Sequence, residues 1–480
     1  MKIKSRYKKI LLSILIIPAI AILVIFIIDP NLLSPKTQGS FEYIRKGEAL
    51  LDKGKYVEAI KYYEMAYAAS PDSDEIKNGL VYAYSKYAVK LAESERYNMG
   101  VKYLSKANDI AGSAYTRQNL SLMYAKKAVF EARSSDRTRA REDLDMAREI
   151  AGDSVACGRS LGITLFNDAV VEFKAGKEDN AILLIRTALS VYGDSNIYEF
   201  LGDIYYKKTE LEKARTYFNK AAKLDPDNKK LAEKCEKVSK EEALSINEKA
   251  SVLPYFDLRY DEDLPVNADL TAKILEKAYF DIGKDLEYLP GTRTVVFFYS
   301  EKNFRDIFKT RDMVRAFYDG NIRIPLPGSV SDEKELVSYL YHEYTHAILS
   351  AKTNNNCPVW LSEGIAVYEE FKWTRPGAAV NISKNTDDIP VISIKAIDQI
   401  FKDPGTNPNK LVVAYILAYT AIEFIVDNWG LKGLHGVLDA IALGRHAVNA
   451  MDDEFLLSEK DFDRRWSDFV GSKYIQKKGG

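Results

Sequence analysis

Between Ile10 and Ile28 the chain carries nineteen residues without a charge. As a helix that run measures about 28 Å, close to the depth of one hydrocarbon core. Lys2, Lys4, Arg6, Lys8 and Lys9 precede it, and it ends FIIDPNLLSPK with neither a small-residue cleavage pattern nor a cysteine for lipidation. The pattern predicts an uncleaved transmembrane helix within residues 1–36, the N-terminus in the cytoplasm and the rest of the chain outside. From Phe41 to about Ala250 apolar positions recur at helical spacing, with only Pro71 and Pro226 interrupting, which predicts an all-α region over residues 40–250. After Leu253 the texture becomes mixed, defining a third segment, 252–475. There YFDLRY and TVVFFY read as strands around a helix marked by Leu270, Ile274, Ala278, Ile282 and Leu286. FYDGNIRIP follows, a hairpin at Asp319-Gly320 whose Ile322 and Ile324 alternate before Pro325, a residue suited to a strand end or an edge. Leu411 to Val426 is apolar but short, and it includes Glu423, which fits a buried core helix better than a second span.

The helical region repeats itself. GKYVEAIKYYEMAYAASP sets Gly54, Tyr56, Ala59, Tyr63, Ala66 and Pro71 at offsets that resemble the tetratricopeptide repeat, with Gly47 the small residue of the preceding helix. Gly202, Ala214, Phe218, Ala221 and Pro226 reproduce the spacing, and weaker copies centre on Leu104, Leu144 and Ile185. Successive anchors from Ala59 to Ala214 lie 41, 40, 41 and 33 residues apart, so the middle repeats need longer helices or loops than the 34-residue unit. The resemblance implies an α-helical solenoid with a concave surface for a protein partner; a plain helical spacer carrying the C-terminal domain is the competing reading.

Composition narrows the class. The 480 residues are 46% apolar and 29% charged, a balance that supports folded cores, and 68 Lys+Arg against 69 Asp+Glu leave no electrostatic footprint for nucleic acid. Cys157, Cys235 and Cys357 are too far apart and too few for a disulfide framework or a cysteine-rich zinc module.

The chemistry concentrates in SVSDEKELVSYLYHEYTHAILSA, predicted as a helix with Ser331 at its N-cap and Asp332 and Glu333 in the first turn. His342 and His346 stand one turn apart on one face, where two imidazoles can share an ion. Glu343 lies about 100° round, near enough to reach a water on that ion without filling a coordination position. Hydrolytic zinc sites take three protein ligands and leave one position open. Glu363, in WLSEGIAVYEE on a second helix begun after Pro358, supplies the third, and Gly364 beside it permits close helix approach.

From about Leu253 onward the chain resembles the gluzincin metallopeptidases, and more narrowly the bacterial peptidase MA-like domains that often follow tetratricopeptide repeats. YFDLRY, DGNIRIP, HEYTHAIL, CPVWLSEGIAVYEE, AYILAYTAIEFIVDNWG and RRWSDF carry the resemblance. It implies an α+β zincin-like domain with one zinc ion on His342, His346 and Glu363, and Glu343 as general base and proton shuttle. It also implies that an edge strand, Asn321, Ile322, Arg323 and Ile324, pairs with an extended peptide substrate. Tyr415 is the first candidate for an oxyanion donor and Tyr419, one turn on, the second; either also reads as a core tyrosine. Cys357 departs from the ligand pattern, and His435 and His446 match no ligand position. The expectation is a single-pass metallopeptidase of the bacterial cytoplasmic membrane, anchored through residues 10–28, acting on peptides or proteins outside the cytoplasm, with a protein partner on its repeats. The rival is a non-catalytic repeat scaffold with a relic peptidase-like domain.

Overall fold

The structure, a computed structural model, describes residues 35–309, 316–326, 333–374, 393–403 and 405–474. The expected membrane span at 10–28 and the expected N-cap Ser331 lie outside them.

Among the described residues eleven helices come first: α1 (Pro35–Asp52), α2 (Tyr56–Ala69), α3 (Asp74–Glu93), α4 (Tyr97–Ala111), α5 (Ala114–Arg133), α6 (Arg137–Ala151), α7 (Val155–Lys174), α8 (Glu178–Val191), α9 (Ser195–Lys207), α10 (Leu211–Leu224) and α11 (Lys229–Leu244). The long repeat step has a simple origin. The second helix of each pair keeps 14 or 15 residues, whereas the first has 20 in α3, α5 and α7 but 13 in α9. Seven extra residues are two added turns, which accounts for steps of 40 or 41 rather than 33.

Every anchor of the pattern is buried: Ala59, Ala107, Ala140, Ala181, Ala188 and Ala214 are fully enclosed, and Tyr63, Leu104, Leu144, Ile185 and Phe218 fill the grooves beside them. The small residues are required by contact. A Cβ on Gly47 would lie 2.8 Å from the Tyr63 ring, and one on Gly202 would lie 2.5 Å from Phe218. Both distances are inside van der Waals contact, so a larger residue would push the neighbouring helix away.

The C-terminal part contains a five-stranded mixed sheet in the order β1-β2-β3-β5-β4, formed by β1 (Glu248–Val252), β2 (Phe256–Asp261), β3 (Thr294–Ser300), β4 (Phe317–Tyr318) and β5 (Ile322–Leu326). Helix α12 (Ala268–Asp285) makes the crossover between the parallel pair β2 and β3, β3 and β5 are parallel, and β1 and β4 run antiparallel at the two edges. β1 is a strand that the helical reading of residues 40–250 did not anticipate; EKASV offers no alternation, none of its residues is buried, and it is held by pairing with β2.

TVVFFY is apolar throughout because both faces of β3 are covered. Val296 and Phe298 face the main core with Leu258, Ile322 and Ile324. Phe297 and Tyr299 face a second cluster with Phe304 and Ile307 of α13 (Glu301–Phe308), closed by Leu244 at the end of α11. The last repeat therefore covers one face of the sheet, and the chain divides into two compact units accordingly. Of the described residues, the first holds those within 35–172 and 179–193, the second those within 173–178 and 194–474. The change of texture near residue 252 and the boundary of compactness are different places.

Helices α14 (Glu333–Lys352), α15 (Val359–Thr374), α16 (Ile394–Lys402), α17 (Pro408–Ala442), α18 (Ala447–Phe455) and α19 (Glu459–Tyr474) complete the second unit. α17 breaks at Gly430, where φ is 68°, a conformation glycine adopts at no steric cost. It is long and apolar enough to cross a membrane, yet half of its most apolar window is buried in the protein. Ala414, Leu417, Ala418, Ala421, Ile422 and Ile425 stand in the main core.

Candidate metal centre

Leu336, Leu340, Tyr344 and Ile348 recur along α14 at four-residue intervals and seat it in the core. That fixes its rotation and turns His342 and His346 toward a cleft, where their side chains retain 16% and 14% exposure. α15 is drawn close behind by Trp360, Leu361 and Ile365. Gly364 allows the contact: a Cβ there would lie 2.7 Å from the backbone oxygen of Ala418 on α17, so no side chain fits between the helices.

Three donor atoms meet in the cleft. His342 Nε2 is 3.3 Å from His346 Nε2, and Glu363 Oε2 is 3.5 Å and 3.4 Å from the same two nitrogens. Tetrahedral bonds of about 2.0–2.1 Å place ligand atoms about 3.3–3.4 Å apart, so the triangle has the edges that one four-coordinate ion needs. Glu363 Oε2 is buried and makes no hydrogen bond, a costly state for a carboxylate oxygen that a cation would relieve. Burial pushes the Glu363 carboxyl up, but the imidazoles of His346 and His342 outweigh it and hold the group below the ordinary carboxylate range. These three residues fit a divalent ion with one position left open.

Glu343 is buried beside them, and its Oε2 also lacks a partner. Burial raises its affinity for a proton, against the pull of His342 and His346. Tyr415 lines the same cleft as His342, Glu343, His346 and Glu363. Burial and the charges of Glu363 and Glu343 push its phenol well above the usual range, so it stays protonated and able to donate. Tyr419 does not line the cleft; its hydroxyl donates to Glu423 at 3.3 Å, and its ring lies 6.2 Å from that of Tyr368. Cys357 lines the cleft outside the three-residue cluster. His435 and His446 are elsewhere: His435 Nε2 contacts the Asp285 carbonyl at 2.6 Å, and His446 precedes α18.

Two residues the sequence reading passed over orient the imidazoles. His342 Nδ1 lies 3.2 Å from Glu370 Oε2, and Ser338 donates to the other oxygen of Glu370. His346 Nδ1 lies 2.8 Å from Ser362 Oγ. Such contacts to the far ring nitrogen fix the face and tautomer that a metal ligand presents. The signal for Glu370 was its seven-residue spacing from Glu363, which returns it to the same face of α15.

The expected substrate strand is corrected. β5 is not the edge, because β4 pairs with it on the far side through Phe317↔Arg323 and Tyr318↔Ile322. Asn321, Ile322, Arg323 and Ile324 are all buried. Arg323 gives Nη1 to Glu241 of α11 at 2.7 Å and Nε to Asp319 at 2.9 Å, while Asn321 donates to the Lys207 carbonyl at 3.2 Å. Among the described residues the edge strand beside the cleft is β4, whose Phe317 and Tyr318 line it with Asp319 and Gly320.

Two imidazoles and a carboxylate on adjacent helices, with a buried carboxylate next to them whose Oε2 has no partner, form a donor set suited to one metal ion and a water. Residues 330–472 match the Peptidase MA superfamily, and residues 43–74 and 195–228 match the tetratricopeptide repeat. The chain carries tetratricopeptide repeats followed by a Peptidase MA superfamily domain. Among solved structures, a tetratricopeptide repeat protein of Thermus thermophilus aligns with 42% of this chain and 98% of its own at 18% identity, with a TM-score of 0.20. No curated protein matches the chain.

Proposed function

We propose that the protein is a membrane-anchored, zinc-dependent metallopeptidase of zincin-like fold that hydrolyses peptide bonds outside the cytoplasm. The observation that carries this is the triangle of His342, His346 and Glu363 donor atoms with the unpartnered Glu343 carboxylate beside it. The residues that would hold the ion are those three, and the chemistry zinc supplies when bound is polarisation of a carbonyl and a lowered pKa for water. Glu343 takes the proton of the attacking water and returns it to the leaving amine, a role suited to a buried carboxylate with raised proton affinity. Tyr415 donates its hydroxyl to the oxygen on which negative charge develops. An extended substrate adds to the outer edge of β4, with backbone hydrogen bonds supplying register. The basic flank and apolar run at 10–28 support a single-pass anchor in the cytoplasmic membrane, and the repeats supply a surface for a protein partner.

The test is purification of the full chain with metal analysis and a peptidase assay on an unstructured protein. About one zinc per chain is expected, and Glu343→Gln should keep the metal while cleavage falls by a factor on the order of 10²–10⁴. Full cleavage by Glu343→Gln refutes the mechanism. Failure of the parent protein to bind zinc favours a scaffold.

A further inference from the structure

The cleft has a wall that no zinc ligand requires. It encloses about 510 Å³, and its one lysine or arginine among the described residues is Lys207, the last residue of α9 in the final repeat. Lys207 is built into place. Its carbonyl accepts from Asn321, and its stem lies on the β4–β5 turn, where a Cβ added to Gly320 would sit 3.0 Å from Lys207 Cγ. The ammonium lies 5.4 Å from the centre of the Phe173 ring, an interaction that holds a cation without cancelling its charge. The acidic side chains around it are otherwise engaged. Asp319 is bound by Arg323 and by Lys237 at 3.1 Å, Asp203 pairs with Lys234 at 2.7 Å, and Glu343 and Glu363 belong to the metal centre.

We propose that Lys207 is a specificity-determining residue that pairs with a substrate carboxylate, so that the cleft prefers peptides carrying an acidic side chain or a free C-terminus near the scissile bond. The inference rests on the peptidase reading for its substrate class. It ties substrate choice to the last repeat, since the selecting charge comes from α9 and the chemistry from α14 and α15.

The test uses the full chain carrying Glu343→Gln, and fluorescence anisotropy with four labelled peptides. These are an amidated peptide with one glutamate, its glutamine counterpart, the glutamine peptide with a free C-terminus, and an amidated peptide with one lysine. One carboxylate peptide should bind about three- to tenfold more tightly than the amidated glutamine peptide, the range for a partly exposed ion pair. Whichever does so identifies the source of the carboxylate. Lys207→Ala should level the series and Lys207→Glu should favour the lysine peptide, with zinc content unchanged in both. The same order of binding in all three proteins, equal binding of all four peptides, or no peptide binding at all overturns the proposal. Absence of cleavage by the parent enzyme alongside the expected binding order would count against the peptidase reading alone.

Discussion

At the scale of single residues, the candidate centre includes side chains outside its three donor residues. Glu370 reaches His342 from two turns beyond Glu363, and Ser338 holds its other oxygen. Replacing Glu370 by Ala should lower zinc affinity about 10- to 100-fold, measurable by competition with a chromogenic chelator, while the helical signal stays unchanged. The two candidate tyrosines separate in the same way. Tyr415→Phe should lower kcat on the order of 10²–10³-fold with little change in KM, the outcome that the proposed donation to a developing oxyanion requires. Tyr419→Phe loses one hydrogen bond to Glu423 and should move stability by about 1 kcal/mol with kcat unchanged, as chemical denaturation beside steady-state kinetics would show. The three residues whose donor atoms meet were legible because a site for a divalent ion dictates their type and spacing. Glu370 and Ser362 were not, since a carboxylate or hydroxyl on a helix reads as surface until the partner ring is located.

At the scale of elements, the hairpin was legible and its orientation was not. Asp319-Gly320 marks the turn, and Gly320 adopts φ 110° there, but a turn gives no sign of which arm pairs with the rest of the sheet. β5 took the inner place because its residues meet cover on both faces: Ile322 and Ile324 in the main core, Arg323 on the side of α11. Arg323 is then a fully buried cation held by Glu241 and Asp319, with Tyr299 also on its Nη1. Burial opposes its charge, and its surroundings outweigh that, so it stays ionised. Removing one partner of such a cluster strands the others. Arg323→Leu should cost about 3–5 kcal/mol in urea unfolding. Adding Glu241→Gln should cost less than the sum of the two single changes, because both act on one network. Equal and additive small losses would show that the cluster does not hold the hairpin.

At the scale of the whole molecule, the last tetratricopeptide repeat and the Peptidase MA superfamily domain share one compact unit. Leu253 looked like a frontier because periodicity changes there, and periodicity reports local structure alone. What decides a folding unit is which apolar faces are covered, and the far face of the sheet is covered by α11 and α13 through Leu244, Phe304 and Ile307. A fragment of residues 252–480 keeps the three donor residues but loses most of β1 and all of α11, leaving the cluster of Phe297 and Tyr299 without Leu244 and Arg323 without Glu241. Exposed apolar area of that kind, with an unpaired buried charge, is what makes a domain aggregate. A fragment of residues 194–480 retains the sheet's cover, the Arg323 cluster and Lys207. The longer fragment should therefore be soluble, unfold cooperatively and bind zinc with the affinity of the full chain, while the shorter one precipitates or shows no cooperative transition by calorimetry. Cooperative folding of 252–480 would mean that the final repeat rests on the C-terminal part without stabilising it.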